Sequence, residues 1–409
     1  MIYCTRCVYP QVSVNVMLDD EGICSSCRVE EEFQQLTPEF WSKRERKFRQ
    51  LIEGYRSQTG SNYDCIIAVS GGKDSYFQTH VVAREYGLKP LLVTYHGNNY
   101  LPEGQGNLDR MRQVFNADQL VFGPSIDVLR KLNRLGFTRM GDMNWHCHAG
   151  IKIVPMIAAV KYNIPLVIWG ETTWSIAGMF SPDDYVEYNK RTVLEHDLRG
   201  FSWQDMLGGE EGLESRDLLW LRFPSDEEID RIGVRGIYIG NFFKWDPNRH
   251  SRLVAEQYAF ECARQPFERT YRTMSNLDDM HENGVHDYMK FIKFGYGRAS
   301  DHSSKDIRAG YMTREEGIAN VRKYDHVKPR RDLERWLDYV GMTEQEFDRI
   351  ADMFRDPRVW WIEDSQWWKH NVWGEPSAYG EIYLQDQELI RRFMANADRL
   401  KTVRQSVAK

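Results

Sequence analysis

Short, continuous apolar runs alternate along the first half of the chain with segments whose apolar residues recur at helical spacing. A buried strand needs only a short apolar run, whereas an amphipathic helix repeats apolar residues every three or four positions. The runs predict strands at residues 64–69, 89–95, 119–122 and 165–169. The helical spacing predicts helices at residues 40–55, 76–86, 108–115, 126–135 and 151–162.

Strands that alternate with helices in this way are typical of a doubly wound α/β fold with a parallel sheet. Ligands of such sheets bind at the carboxyl ends of the strands, so the residues that follow each strand are the first candidates for a site. We expect four units: residues 1–36, a linker helix within 37–62, an α/β domain at 63–255 and a mainly helical region at 256–409. Glycines interrupt the pattern near 180–236, which predicts an irregular insertion or lid in the α/β domain.

Composition narrows the class of protein. With 42% hydrophobic and 28% charged residues, the 409-residue chain is ordinary for a soluble globular protein. The net charge of −6 provides no general excess of lysine and arginine, which argues against a protein devoted to nucleic acid. The N-terminal residues lack the pattern of a signal peptide, and no apolar run is long enough to cross a membrane. We therefore expect a cytoplasmic protein without membrane association.

Four of the seven cysteines form two Cys-x-x-Cys pairs, Cys4 with Cys7 and Cys24 with Cys27, separated by sixteen residues. Each pair folds into a tight turn that directs two thiolates at one point, and two turns complete a tetrahedron around Zn²⁺. Protein would fill all four positions, so the zinc would be structural and would stabilise a segment too short for an apolar core. An iron–sulfur cluster and a redox dithiol also use such pairs and are the alternatives.

A glycine-rich segment, Ser70-Gly71-Gly72-Lys73-Asp74-Ser75, follows the first predicted strand and precedes a helix. The two glycines allow a sharp turn that points several backbone N–H groups at one anion. Lys73 adds a cation for phosphate oxygens, the two serines add hydroxyl donors, and Asp74 is placed to hold Mg²⁺ bound to the phosphates. The Walker arrangement is absent, because Asp rather than Ser or Thr follows the lysine. An incidental turn between a strand and a helix is the alternative.

This segment resembles the PP-loop of ATP pyrophosphatases, whose fold is called adenine nucleotide alpha hydrolase-like. These enzymes include asparagine synthetase, GMP synthetase and tRNA thiolation enzymes. They adenylate a carbonyl or amide oxygen, release pyrophosphate, and let a nitrogen or sulfur nucleophile displace AMP. The resemblance implies that residues 70–75 hold the β- and γ-phosphates of ATP together with Mg²⁺. It also implies that Val93, Tyr95 and His96, after the second strand, line the adenosine.

Further segments indicate which family of PP-loop enzymes the chain resembles. They are the opening Cys-Thr-Arg-Cys-Val, residues 144–150, residues 168–172, and residues 293–298 with the two segments that follow at 306–310 and 313–316. Together they look like the N-acetyl sugar amidotransferases of bacterial surface-glycan biosynthesis, which includes lipopolysaccharide and O-antigen. The resemblance extends from the N-terminus to about residue 325.

Such a family implies both an acceptor and a partner. The enzyme would adenylate the acetamido oxygen of a nucleotide-activated N-acetyl sugar, or of a related sugar acid, and ammonia would then displace AMP to give an acetamidino group. The ammonia would come from a separate glutamine amidotransferase resembling the glutaminase and cyclase subunits of histidine biosynthesis. The chain itself shows no evident glutaminase, and Cys147, with histidine on both sides, is its nearest candidate nucleophile.

The remaining candidates are assigned by residue type. Lys293 and Arg298, in a predicted glycine-rich loop, would meet pyrophosphate or the phosphates of the sugar nucleotide, a solvated turn being the alternative. Gly170 and Glu171 would orient adenosine or substrate, unless Glu171 only caps a helix. The predicted catalytic residues are therefore Lys73, Asp74, Lys293 and Arg298.

The His-Cys-His segment has a separate interpretation. Adjacent side chains point apart, so the three do not readily converge on one metal ion. We predict instead a loop that shapes the acceptor site. The residues predicted to contact the acceptor are His146, Cys147, His148 and Thr172.

Two other functions fit parts of the sequence. A tRNA-modifying enzyme of the thiolation type also combines a PP-loop with Cys-x-x-Cys pairs, but it would need a basic face. A nucleotide-binding scaffold that docks a glutaminase through its zinc knuckle would have no reason to keep Lys73, Asp74 and Ser75 together. The tryptophans crowded into residues 360–373 are predicted to pack in a core at helical spacing, with sugar stacking and a partner surface as alternatives.

Overall fold

A computed structural model describes residues 1–170, 178–275, 277–278, 281–282 and 284–401. At its centre lies a five-stranded parallel sheet with the strand order β3-β2-β1-β4-β5. The strands are β1 (Cys65–Ala68), β2 (Pro90–Tyr95), β3 (Asp118–Phe122), β4 (Leu166–Trp169) and β5 (Arg235–Tyr238). The α/β fold with a parallel sheet, predicted from the alternating pattern, is confirmed.

β1 occupies the middle of this sheet. Its Ile66 lies opposite Leu91 of β2 on one side and Val167 of β4 on the other. The chain passes from β1 outward through β2 and β3, and then continues on the other side of β1 with β4 and β5. The winding therefore reverses between β1 and β4, and the crevice outside their carboxyl ends is where doubly wound sheets bind ligands.

Helices pack around the sheet. In chain order they are α1 (Ser25–Gln34), α2 (Pro38–Glu53), α3 (Lys73–Thr79), α4 (Pro102–Phe115), α5 (Ile126–Met140), α6 (Trp145–Tyr162), α7 (Asp226–Ile232) and α8 (Pro247–Tyr258). α3 continues as a π-helix over His80–Glu85. Among the residues described, every helix is too short or too polar to span a bilayer.

Two details of this region differ from the prediction. β5 was not predicted and begins at the end of residues 180–236, which were expected to be irregular, because a four-residue strand containing Gly236 gives little apolar pattern. α6 begins at Trp145 and not at residue 151. The His-Cys-His segment therefore lies in the first turn of a helix, and the prediction of a loop there was wrong.

The chain after α8 is mainly helical and carries a second sheet. The helices are α9 (Val285–Phe294), α10 (Arg298–Arg308), α11 (Arg314–Tyr324), α12 (Arg330–Val340), α13 (Glu344–Asp352) and α14 (Gln387–Lys401). The antiparallel strands are β6 (Trp361–Glu363), β7 (Gln366–His370) and β8 (Pro376–Glu381).

The tryptophan-rich segment forms part of this second sheet. Helical spacing was the wrong interpretation for residues 360–373, because β6 and β7 pair there as a hairpin. Trp360, Trp361 and Trp367 are fully buried, so these rings pack in the core of the C-terminal region.

The N-terminal segment packs against this C-terminal region. The Arg314 guanidinium donates to the carbonyl oxygens of Cys7 and Cys4, at 3.1 and 3.2 Å. Tyr9 meets the edge of the Tyr296 ring, with centroids 6.0 Å apart. These contacts join the two ends of the described chain into one body.

Candidate functional site

The loop between β1 and α3 leaves the carboxyl edge of the sheet at the reversal of the winding. Gly71 has φ +83°, and a Cβ there would lie 2.8 Å from Leu108 Cβ and 2.9 Å from its backbone. Both the left-handed conformation and the close approach require glycine at this position. The Ser70 N–H donates to Ser75 Oγ at 2.9 Å and closes the loop on itself.

Lys73 and Asp74 lie side by side at the start of α3. Lys73 Nζ is 2.7 Å from Asp74 Oδ2, and His250 Nδ1 of α8 is 3.5 Å from Asp74 Oδ1. Burial raises the pKa of the Asp74 carboxyl, but Lys73 and His250 outweigh this effect and hold the pKa well below its usual range. Asp74 Oδ1 is buried and has no hydrogen-bond partner among the described residues. An ionised carboxylate with a free oxygen is a ligand that suits Mg²⁺.

His250 is held in place by packing. Its ring stacks on Phe77 with centroids 3.5 Å apart and meets Trp245 edge-on at 4.6 Å. These contacts join α8 to α3 directly behind Asp74. The sequence offered no sign of this pairing, because residues 74 and 250 are far apart along the chain.

Residues 277–278, from the C-terminal region, lie against the phosphate loop. Asp278 hydrogen-bonds with the Ser70 side chain and lies close to Lys73, while burial raises the pKa of the Asp278 carboxyl. The preceding residue, Leu277, accepts a hydrogen bond from Leu101 N at 2.9 Å. A Cβ at Gly104 would overlap the Leu277 carbonyl oxygen, so α4 and this segment are in tight contact. Two carboxylates and one lysine thus surround the phosphate loop.

The residues after β2 are enclosed. Val93 and Tyr95 are buried, and the Tyr95 hydroxyl lies 2.8 Å from His146 Nδ1. His96 Nε2 lies 2.9 Å from Gln105 Oε1, and its Nδ1 accepts from Asn98 N. Their contact with adenosine stays a prediction.

Gly170 follows β4 directly, as predicted, and packs against the Trp245 ring. It therefore lies at the same edge of the sheet as the phosphate loop. The predicted site residues Glu171 and Thr172 lie outside the described residues.

His146 points into a buried polar network. Trp336 Nε1 donates to Asn133 Oδ1 at 3.0 Å, which turns the amide nitrogen of Asn133 toward His146 Nε2, also at 3.0 Å. His146 Nε2 also lies 3.3 Å from Glu282 Oε1, within the same network. Both ring nitrogens of His146 are thereby engaged.

Cys147 lies beside this network. Its Sγ is 3.6 Å from His146 Nδ1 and 3.9 Å from Nε2, so it faces the edge of the ring between two nitrogens that already have partners. Asn99 Nδ2 lies 3.6 Å from the sulfur and 2.5 Å from a carboxylate oxygen of Glu282. A cysteine nucleophile needs an adjacent base, and His146 is a neighbour within hydrogen-bond distance of the Cys147 thiol.

His148 points the other way, toward Asp142 and His286. Burial lowers the pKa of His148 to about 4, although Asp142 acts in the opposite direction. His286 Nδ1 lies 3.0 Å from Asp142 Oδ1, and Arg199 Nη1 lies 2.7 Å from Asp142 Oδ2. The prediction that adjacent side chains of the His-Cys-His segment point apart therefore holds for His148, whereas His146 and Cys147 turn toward each other.

Lys293 and Arg298 lie on two helices and not within one loop. Lys293 is near the end of α9, and Arg298 is the first residue of α10. Arg298 is paired with the buried carboxylate of Asp287 through Nη2 at 2.7 Å. Burial lowers the pKa of Lys293 to about 8, with Asp142 opposing. Of these two residues, Lys293 lies near Asp142, the carboxylate beside His148, whereas Arg298 is directed at Asp287.

A cavity of about 200 Å³ lies on the far side of the first turn of α8. Four of its lining residues carry positive charge, and Phe33, Trp245 and Tyr311 supply aromatic surface. The cationic residues are Lys244, Arg272, Lys305 and Arg308. Three carboxylates, Glu30, Asp246 and Asp306, also line the cavity, and Arg272 Nη2 is paired with Asp306 Oδ1 at 2.6 Å. The aromatic surface and the remaining cations suit a ligand that combines phosphate with a ring.

The four N-terminal cysteines form one buried cluster. Cys4 Sγ is 3.9 Å from Cys27 Sγ, and Cys7 Sγ is 3.6 Å from Cys24 Sγ. Four sulfurs bound tetrahedrally to Zn²⁺ lie ~3.8 Å apart, so the cluster has the dimensions of a site for a metal such as zinc. Backbone N–H groups of Arg6, Cys7 and Cys24 point at Cys4 Sγ, which stabilises a thiolate there.

Replacing Cys4 by serine is expected to release about one equivalent of zinc per chain and to lower the thermal unfolding temperature, because the metal holds this segment together. Cys262→Ser provides the matched control, since Cys262 lies outside the cluster. Elemental analysis and thermal melting measure the two effects. A zinc-free Cys4→Ser protein that melts like the wild type would contradict a structural metal.

Several residues of the site were not predicted from the sequence. They are Asp142, His250, Asp278, Glu282 and His286. The one signal available was the concentration of histidines and carboxylates in residues 278–287, which lead into the first residues of α9.

Residues 264–372 match a family described as "LPS biosynthesis protein WbpG-like, C-terminal domain". The matched stretch covers less than half of the chain and contains Asp278, Glu282, His286 and Lys293. No curated protein matches the chain.

Proposed function

We propose that this chain is an ATP-dependent, AMP-forming amidotransferase of surface-glycan biosynthesis. It would convert the acetamido group of a nucleotide-activated N-acetyl sugar, or of a related sugar acid, into an acetamidino group. The observation that carries the proposal is the Ser70–Ser75 loop, with Gly71 in the left-handed conformation and Lys73 and Asp74 on one side. The similarity of residues 264–372 to an LPS biosynthesis domain supports the glycan as the acceptor class.

The chemistry explains why ATP is needed. A neutral amide is a poor electrophile and its oxygen is a poor leaving group. Transfer of AMP to that oxygen gives a leaving group that ammonia can displace at carbon. Lys73 and the backbone N–H groups of the loop would stabilise the charge on the departing pyrophosphate.

Residues of the chain have separate tasks in this scheme. Asp74 would hold Mg²⁺, the ion that neutralises the phosphate charge when bound, and Asp278 would assist from the opposite wall. The cavity lined by the first turn of α8 gives room for the phosphates and base of the acceptor, with Lys244 as a cation for the phosphates. Lys293, with its pKa lowered to about 8 by burial, is suited to exchange a proton near neutral pH.

The proposed ammonia source is a separate glutaminase. Support comes from the sequence, which shows no evident glutaminase in the chain itself. The partner would therefore deliver ammonia to the carboxyl edge of the sheet.

The test is mass spectrometry of small molecules after incubation with ATP, Mg²⁺, isotopically labelled ammonium and a panel of nucleotide-activated acetamido sugars. We expect AMP and a sugar in which labelled NH replaces oxygen. Lys73→Ala should abolish both products, whereas Lys89→Ala, an exposed lysine, should not. Formation of AMP without a modified sugar would make RNA the next acceptor to test. No AMP with any acceptor would favour a nucleotide-binding scaffold.

A further inference from the structure

A second cluster of metal-ligand side chains lies beside the proposed active site. One ligand atom each of Asp142, His148 and His286 lie within 4.8 Å of one another. We infer that this cluster binds a divalent transition-metal ion of the zinc type, separate from the ion held by the four cysteines. Two imidazole nitrogens and one carboxylate form the protein ligand set of many catalytic zinc sites. This inference does not depend on the proposed reaction.

Three separate elements supply these ligands. Asp142 lies in the turn between α5 and α6, His148 in the first turn of α6, and His286 in the first turn of α9. His286 Nδ1 and Asp142 Oδ1 are 3.0 Å apart, close to the ~3.3 Å that separates two ligands of a tetrahedral zinc. An ion here would tie the C-terminal region to the sheet domain.

The polar atoms of the cluster also favour an ion. His148 Nε2 is buried and has no hydrogen-bond partner among the described residues. A buried ring nitrogen without a partner is costly, and coordination to a metal would satisfy it. Arg199 pairs with Asp142 Oδ2, while Oδ1 lies 3.0 Å from His286 Nδ1 and accepts from Asn144 N at 3.1 Å. Such outer contacts commonly orient a ligating carboxylate.

The neighbouring cluster of His146, Cys147 and Glu282 has ligand atoms equally close together, but its histidine offers no ring nitrogen without a hydrogen-bond partner. Tyr95 and Asn133 already engage the two ring nitrogens of His146. A metal would have to displace one of these hydrogen bonds. We therefore assign the ion to the His148 cluster alone.

Three protein ligands leave a coordination position for a small ligand. Asp142 offsets one of the two charges of the ion, and the cations Arg199 and Lys293 lie next to that carboxylate. The local charge therefore favours an anionic oxygen as the fourth ligand, such as hydroxide or a carboxylate of the acceptor. A closed, structural site would need a fourth protein ligand.

Cobalt substitution of the full chain separates the two metal sites. Co²⁺ bound by four thiolates gives intense sulfur-to-metal charge-transfer absorption, whereas Co²⁺ bound by histidine and aspartate gives only weak d–d bands. We expect the wild-type chain to bind two equivalents of Co²⁺. His148→Ala and His286→Gln should each bind one equivalent fewer and keep the charge-transfer absorption, which also shows that the knuckle is folded. His196→Ala, which removes an exposed histidine, should retain both equivalents.

Two results would overturn the assignment. One is a wild-type chain that binds a single equivalent with the full charge-transfer absorption. The other is retention of two equivalents by both His148→Ala and His286→Gln. If His148→Ala does not fold, His286→Gln and Asp142→Asn decide the question, because each removes a different ligand of the same ion.

Discussion

Replacing Asp74 by asparagine is expected to leave the protein folded and to remove the proposed AMP-forming activity. Asparagine preserves the shape of the side chain but removes the charge that pairs with Lys73 and would hold Mg²⁺. Loss of electrostatic stabilisation at a transferring phosphate costs about a hundredfold to a thousandfold in kcat. Pyrophosphate release at increasing Mg²⁺ concentration measures the effect.

The matched control is Asp109→Asn, which neutralises an exposed carboxylate on α4. It should keep wild-type turnover and the wild-type Mg²⁺ dependence. Equal thermal melting of the two variants would show that the loss at Asp74 is not caused by unfolding. Unchanged turnover of Asp74→Asn would instead place the metal on another carboxylate, with Asp278 the first to examine.

Arg355→Ala is expected to destabilise the C-terminal region by about 3 to 5 kcal/mol, because it leaves a buried carboxylate without its cation. Arg355 Nε donates to Asp352 Oδ1 at 2.8 Å, and both side chains are almost completely buried. The guanidinium also lies over the rings of Trp360 and Trp367, at 4.3 and 4.5 Å from the centroids. Asp352 in turn accepts from Trp367 Nε1, so one deletion disturbs both α13 and the hairpin.

Arg358→Ala is the control for this effect. Arg358 also pairs with an aspartate, Asp356, but 70% of its side chain is exposed. Exposed ion pairs contribute about 1 kcal/mol or less. Denaturant unfolding followed by tryptophan fluorescence should therefore separate the two variants clearly. Equal unfolding midpoints would contradict the importance of the buried pair.

Three strands of the sheet were predictable because they lie in a doubly covered interior. β1, β2 and β4 are continuous apolar runs bounded by turn residues, and each was placed to within about a residue. β5 escaped because it is short and contains glycine. The hairpin of residues 361–370 was misread because neighbouring tryptophans fit either a helical or an extended period.

The candidate site was predictable only where its residues are consecutive. In the phosphate loop and the cysteine pairs, the spacing of the residues along the sequence indicates their geometry. Both could therefore be predicted. Asp278 and His250 approach the loop through tertiary packing, and no local pattern records such a contact. Lys293 and Arg298 looked equivalent in the sequence, but the helices that carry them turn one toward Asp142 and the other toward Asp287.

The contact between the cysteine knuckle and Arg314 has a consequence for the order of events during synthesis. The carbonyl groups of Cys4 and Cys7 accept hydrogen bonds from Arg314, which follows them by more than 300 residues in the sequence. Tyr3 donates to the carbonyl oxygen of His370, which comes later still. Contacts between such distant positions close large loops and form slowly. The docking surface of the knuckle does not exist until the C-terminal region has been translated. A metal bound by the four cysteines would protect them from oxidation during that interval.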